Sequence, residues 1–168
     1  MADFRQVFEV SYQPLVAYAR RRVASWSDAD DLVGEVYATA WRRRDEFDLT
    51  LSPLPWLYGI AGNVVRNQRR SNQRQLKLVD HLEAQPEGPT SDDPAERPGA
   101  DLRAALAQLS FDDQEVLRLI AWEGLSHSEA GEALGCSTNA VGIRIHRARQ
   151  RLEQQLHHPA PTSQKDLS

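Results

Sequence analysis

One cysteine, Cys136, is the only thiol in these 168 residues, so neither an internal disulfide nor a cysteine metal cluster is possible. Its place between Gly135 and Ser137 predicts a small buried apolar residue in a turn rather than a redox sensor. Long apolar runs are missing too. No stretch approaches the 18 or more apolar residues of a membrane span, so no membrane insertion is expected. The leading residues MADFRQVFEV lack the basic and apolar segments of a secretory signal, and these absences together predict a cytoplasmic protein. Nor is positive charge in excess: 20 Lys and Arg stand against 24 Asp and Glu, a net charge of −4, which argues against wholesale coating of nucleic acid. No glycine-rich loop is present to cradle a phosphate, and no internal repeat is visible. The five histidines (His81, His127, His146, His157 and His158) fall at no spacing that suggests a base or a ligand set, and no nucleophile motif accompanies them. No enzymatic activity, metal or cofactor is therefore expected.

What is present is helical patterning, unevenly charged. Acids collect in residues 80–96, whereas arginines collect at Arg20–Arg22, Arg42–Arg44, Arg66–Arg70 and Arg144–Arg151, so basic faces survive on an acidic whole. The stretch GLSHSEAGEALGCSTNAVGIRIHRARQRL (Gly124–Leu152) is the most informative. Ser126 and Glu129 have the spacing of a capping box, Gly135 suits the left-handed end of that first helix, and Ser137 can cap a second helix almost at once. Val141, Ile145, Ala148 and Leu152 then form one buried stripe at about 100° per residue. Opposite them lie Asn139, Ile143, His146 and Gln150, flanked by Arg144, Arg147 and Arg151 on one side and Arg149 on the other. That is the layout of a recognition helix, with base-reading residues outward and cations at the sides. An ordinary solvated hairpin has the same pattern.

Taken in order, residues 3–25 carry a helical apolar face (Phe4, Val7, Phe8, Leu15, Tyr18, Ala19, Val23) that Pro14 should divide or kink. Ser27 or Asp28 can cap the next helix, to Arg44, whose expected buried stripe is Leu32, Val33, Val36, Tyr37, Ala40 and Trp41. Asp30, Asp31 and Glu35 fall on its outer side, where an acidic first turn suits the helix dipole. Residues 45–55 form a loop with Phe47 as an anchor. Ser52 can cap the helix that follows, which tolerates Pro53 and Pro55 in its first turn. Over 56–70, Trp56, Leu57, Ile60, Ala61 and Val64 face a core and the far end is basic. The cations Arg66–Arg70 fit both a helix C-terminus and a nucleic-acid contact. Residues 72–98, with Pro86, Pro89, Pro94 and Pro98, read as a flexible linker spanning about 25–30 Å root-mean-square, which leaves the arrangement of the two halves open. Leu102, Ala105, Leu106 and Leu109 begin a second module, a helix over about 112–122 follows, and the tail from His157 reads as disordered. The fold class is all-α, with two small helical domains.

Two signatures then come together. DADDLVGEVYATAW (Asp28–Trp41) with PWLYGIAGN (Pro55–Asn63) is similar to conserved region two, and QLSFDDQEVLRLIAWEGLSHSEAGEALGCSTNAVGIRIHRARQRL (Gln108–Leu152) to region four, of the bacterial sigma-70 family. In this order, separated by an acidic linker, they resemble an extracytoplasmic-function (group 4) sigma factor. The resemblance implies region 2 at 1–71, a linker at 72–98, region 4 at 99–156 and a tail at 157–168. It implies core RNA polymerase, promoter DNA and an anti-sigma factor as partners, with no catalysis by this chain. Asp30, Asp31 and Glu35 would dock on the polymerase clamp helices. Phe47, Asp48, Trp56, Asn63, Arg66, Asn67 and Arg70 would hold the melted minus-ten element, where bases leave the stack and cations track the backbone. Ser137, Thr138, Asn139, Gly142, Ile143, Arg144, His146 and Arg147 would meet the minus-thirty-five element. Asn139 is suited to an adenine edge and Ile143 to a thymine methyl.

Several positions depart from the family pattern. Gly34 stands where glutamine is usual in the polymerase-docking helix, which weakens one expected contact; Gly59 and Gly62 stand where arginine is common, which reduces basic contact to the minus-ten region; and Gly142 and Ile143 stand where lysine and serine are frequent, so promoter preference should differ from the usual one. A stand-alone repressor is the main rival. It would leave the first module without a purpose, and no dimerisation heptad is visible.

Overall fold

Apolar residues at helical spacing decide almost every element. The computed structural model describes residues 4–48, 51–79 and 99–157, and these form seven α-helices and one 3-10 turn. The first module holds α1 (Phe4–Arg20), α2 (Trp26–Arg42), the 3-10 turn Arg44–Glu46 and α3 (Pro53–Val79). The second holds α4 (Ala100–Ala107), α5 (Phe111–Ala121), α6 (His127–Leu134) and α7 (Thr138–His157). Leu15, Tyr18 and Ala19 of α1, Leu32, Val36 and Ala40 of α2, and Leu57, Ala61 and Val65 of α3 bury the inner faces of the first module.

Some local expectations are corrected. Pro14 does not divide α1, which runs unbroken through it. Proline removes one backbone bond, to the carbonyl four residues earlier. That residue, Val10, is exposed, so water can serve its carbonyl. Ser25, not Ser27 or Asp28, caps α2: its hydroxyl accepts from the Asp28 amide at 3.0 Å and donates to the Asp28 carboxylate at 2.7 Å. Trp41 leaves the expected buried stripe and is exposed, set edge-on against Phe4 at 5.2 Å beneath the Arg44 guanidinium. Phe8 and Leu102 are likewise exposed. Helix α3 continues to Val79, into the first residues expected to be linker, because SNQRQLKLV contains no glycine or proline and several good helix formers. The remainder of that stretch, 80–98, and the tail beyond His157 lie outside the described residues.

The two modules are packed together. A single cluster of buried side chains runs from Val7 and Leu15 through Leu57 and Val65 to Val116, Leu119, Ala130 and Val141. Helix α3 rests on α6 so closely that a Cβ at Gly59 would stand 2.9 Å from the Ala133 carbonyl oxygen. Beside this contact the Arg22 guanidinium is buried between two acids of the second module. Its Nε and Nη2 donate to Glu115 at 2.9 and 3.1 Å, and its Nη1 donates to Glu123 at 2.9 Å. The Tyr18 hydroxyl donates to Glu115 at 2.7 Å, and its ring lies under Arg22 and stacks on Tyr58. Arg21 reaches the other Glu123 oxygen at 2.9 Å.

Burial, reinforced by the Glu115 charge, holds the Tyr18 phenol well above its usual range, and burial pushes Tyr58 up to about 12. A phenol with a raised folded pKa contributes stability that is complete below its unfolded pKa of about 10 and is lost as pH climbs through the folded value. Thermal midpoints followed by circular dichroism should accordingly fall above about pH 10 through these two groups, and Tyr18→Phe should shrink that fall. An equal fall in Tyr18→Phe would remove this phenol as a source.

Candidate nucleic-acid interface

The α6–α7 pair is built as its sequence demands. The Ser126 hydroxyl accepts from the Glu129 amide at 3.2 Å while the Glu129 carboxylate accepts from the Ser126 amide at 2.8 Å, completing the capping box. Gly135 closes α6 at φ 65°, and the Ser137 hydroxyl accepts from the Ala140 amide at 3.1 Å to open α7. Gly131 is a requirement that spacing alone did not disclose. A Cβ there would fall 2.6 Å from the Cys136 carbonyl oxygen, so only glycine lets the turn come back over α6. Cys136 itself is half-buried in that turn.

Val141, Ile145 and Ala148 are buried and Leu152 is half-buried. Asn139, Ile143, Arg144, His146, Arg147, Arg149 and Gln150 are exposed. Thr138, Asn139, Gly142, Ile143, His146 and Arg147 line one open groove with His127 of α6. Ser137 lies beside it at the cap, exposed like Thr138. The surface offers amide and imidazole groups, one branched apolar side chain and flanking cations, which is the chemistry that reads base edges and grips phosphates.

In the first module the other expected residues separate into two groups. Asp30, Asp31 and Glu35 are exposed on α2, with open space at the neighbouring Gly34. Phe47 and Trp56 are half-buried and stack on each other at 4.7 Å. Trp56, Asn63 and Arg66 line a cleft of about 250 Å³ whose other wall is Glu132, Ala133, Leu134 and Gly135 of the second module. Arg66 bonds Asn63 at 3.1 Å and crosses to Asp112 at 2.6 Å. Asp48, Asn67 and Arg70 are exposed. Among the described residues no group of three or more His, Cys, Asp or Glu stands where it could hold a metal, and no helix is long and apolar enough to cross a membrane.

Residues 7–75 match the family model for Sigma-70 region 2, and residues 100–152 match that for Sigma-70, region 4. The RNA polymerase sigma factor NccH of Alcaligenes xylosoxydans xylosoxydans is 33% identical over 156 residues, covering 89% of this chain and 84% of its own. This chain belongs to the sigma-70 family, in its extracytoplasmic-function group. Sigma factors of this family are transcription initiation factors. The fold of this sigma factor is also similar to that of RpoE in its co-crystal structure with the anti-sigma factor NepR from Bartonella quintana. There the TM-score is 0.68 at 27% identity, over 95% of this chain and 100% of that one. CnrH in complex with the cytosolic domain of CnrY gives 0.64 at 28% identity, over 94% of this chain and 89% of that one.

Sequence patterning missed the Arg22, Glu115 and Glu123 cluster in this sigma factor. One signal was available: Glu115 sits next to Val116 and four residues before Leu119, on the apolar face of α5, where an acid needs a buried partner. Two substitutions test the construction of the helix pair. Ser126→Ala should lower stability by about 1 kcal/mol through the lost cap. Gly131→Val should cost about 1–3 kcal/mol by forcing the turn apart. Denaturant titrations of the whole chain read both, and a neutral Gly131→Val would show that the turn has room.

Proposed function

We propose that this sigma factor binds core RNA polymerase, directs it to specific promoters and helps melt the minus-ten region. Region 2 spans 1–71, region 4 99–156 and the tail 157–168, with the linker 72–98 opening on the last turns of α3. Asp30, Asp31 and Glu35 form the polymerase-docking face. Phe47, Asp48, Trp56, Asn63, Arg66, Asn67 and Arg70 hold the minus-ten strand, where a stacked aromatic pair and a basic helix suit unstacked bases and their phosphates. Residues Ser137, Thr138, Asn139, Gly142, Ile143, Arg144, His146 and Arg147 meet the minus-thirty-five duplex.

The carrying observation is the order of the two matched regions on a chain whose α7 presents its polar and cationic side chains outward. An anti-sigma partner is supported by likeness, across both modules, to sigma factors solved with NepR and with CnrY. A free repressor is disfavoured by the acidic net charge, since modest local charge releases few counterions on duplex DNA.

Run-off transcription with purified core polymerase on a pool of native promoters should yield new promoter-specific transcripts only when this protein is added. Duplex binding without any polymerase-dependent transcript would instead identify a repressor. Asn139→Ala should relax selectivity at one base pair by about 1–3 kcal/mol, whereas Arg144→Ala and Arg147→Ala should weaken binding to all sequences and each reduce the salt slope by about 1. Asp31→Lys combined with Glu35→Lys should weaken capture by core polymerase while sparing duplex binding by α7.

A further inference from the structure

A helix that reads base edges in a major groove runs between two phosphate walls and needs hydrogen-bond donors toward each. Helix α7 supplies them unevenly. At about 100° per residue, Arg144 and Arg147 stand on one side of the reading strip Asn139, Ile143 and His146, and Arg151 beyond them is tied to Asp113. The other side carries Gly142 and, about two turns on, Arg149, which lines a separate groove with Leu102 and Trp122. Facing Gly142 stands His127 of α6, exposed and lining the reading groove with Asn139 and His146. Glycine inside a helix costs about 1 kcal/mol relative to alanine. At Gly59 and Gly131 the close approach of another backbone accounts for it. At Gly142 no such backbone presses: a Cβ there would meet only the His127 Nδ1, at 4.0 Å, an ordinary contact. The consequence of glycine at this position therefore falls on the imidazole, whose edge a longer side chain would cover.

We propose that His127 is a DNA-binding residue of the minus-thirty-five surface, its imidazole meeting the phosphate wall opposite the one held by Arg144 and Arg147, and that duplex capture draws a proton onto it. The inference rests on the assignment of α7 to that duplex. Histidine is the side chain that changes charge between pH 5 and 8, and only its charged form donates from both ring nitrogens. A phosphate favours the charged form, so binding takes up a proton, and affinity is highest in acid and declines as pH rises. The other charged or titratable groups lining the groove are His146 and Arg147, both on α7. Helices α3 and α5 also pack on α6, and neither contributes a lining residue. Of the acids on α6, Glu129 is turned back to the Ser126 amide at 2.8 Å and Glu132 lines the cleft shared with α3. No carboxylate lining the groove competes with phosphate for the imidazole.

The test uses the full chain reconstituted with core polymerase on a labelled duplex promoter mapped by run-off transcription. Fluorescence anisotropy reads affinity at about pH 6 and about pH 8, within which histidine loses most of its charge. Each variant is compared with the parent at the same pH, which cancels the polymerase's own response. His127→Ala should weaken binding about tenfold at the lower pH and no more than about twofold at the higher, the loss expected of one charge-assisted hydrogen bond. The loss should be equal across minus-thirty-five sequences, and the salt slope should fall by about 1 at the lower pH alone. His127→Gln keeps a donor without the charge and should flatten the pH profile at its weaker end. Gly142→Lys sets a permanent cation on the same side and should flatten it at its tighter end. Circular dichroism melts confirm that the variants are folded. Parent-like binding by His127→Ala at both pH values would overturn the inference, as would a pH dependence that survives this change and vanishes in His146→Ala. A loss confined to one base pair would make His127 a base reader and overturn the phosphate contact. Failure of the α7 assignment shows differently, as a parent whose affinity is indifferent to scrambling of the minus-thirty-five element, and it removes this role with it.

Discussion

A guanidinium removed from water must find its hydrogen bonds within the protein, and Arg22 finds most of them across a module boundary. Burial works against its charge, but Tyr18, Glu115 and Glu123 outweigh that penalty and raise its pKa. A buried ion pair contributes little net energy when complete, yet leaving one partner alone costs about 3–5 kcal/mol. An apolar cluster also runs through both modules, and because apolar contact is non-directional it is tolerant of small rotations. The charge cluster is not tolerant, because donors on Arg22 must meet oxygens on Glu115 and Glu123 at about hydrogen-bond length. It selects one register of the second module on the first.

The neighbourhood of this cluster is constrained in turn. Tyr18 bonds Glu115 with its hydroxyl and packs its ring between Arg22 and Tyr58, so residues of α1, α3 and α5 are tied together at one place. Arg118, one turn along α5 from Glu115, keeps two buried nitrogens without a hydrogen-bond partner, and burial followed by the Arg22 charge lowers its pKa. Its face rests 5.4 Å from the Trp122 ring, a contact that suits a weakly hydrated guanidinium. Cation and aromatic are likewise paired where Arg66 and Arg69 approach Phe111 at the same module boundary.

Function follows from which surfaces this register covers. The α7 groove is lined by residues of the second module alone and keeps the layout of a recognition helix. The α3 face is shared, because part of it is the floor on which α6 sits. One helix, α3, thus carries most of the residues proposed for the melted strand together with the glycine that admits the second module.

Helix identity, the capping box at Ser126 and Glu129, the left-handed Gly135 and the outward face of α7 were all legible in the chain itself. Each depends on groups within a few residues of one another, where backbone hydrogen bonds and a 3.6-residue period leave a direct trace in residue order. The family was legible for the same reason, its two signatures being local strings. Exposure of Trp41, an intact α1 at Pro14 and the need for glycine at 131 and 59 were decided only when helices met, since each depends on what stands opposite in space. The pairing of Arg22 with Glu115 and Glu123 spans about half the chain, and no period or spacing encodes it. Sequence determined the helices and the kind of surface each could present; the tertiary structure decided which surface is open, because burial and charge satisfaction are properties of two faces in contact and not of either alone.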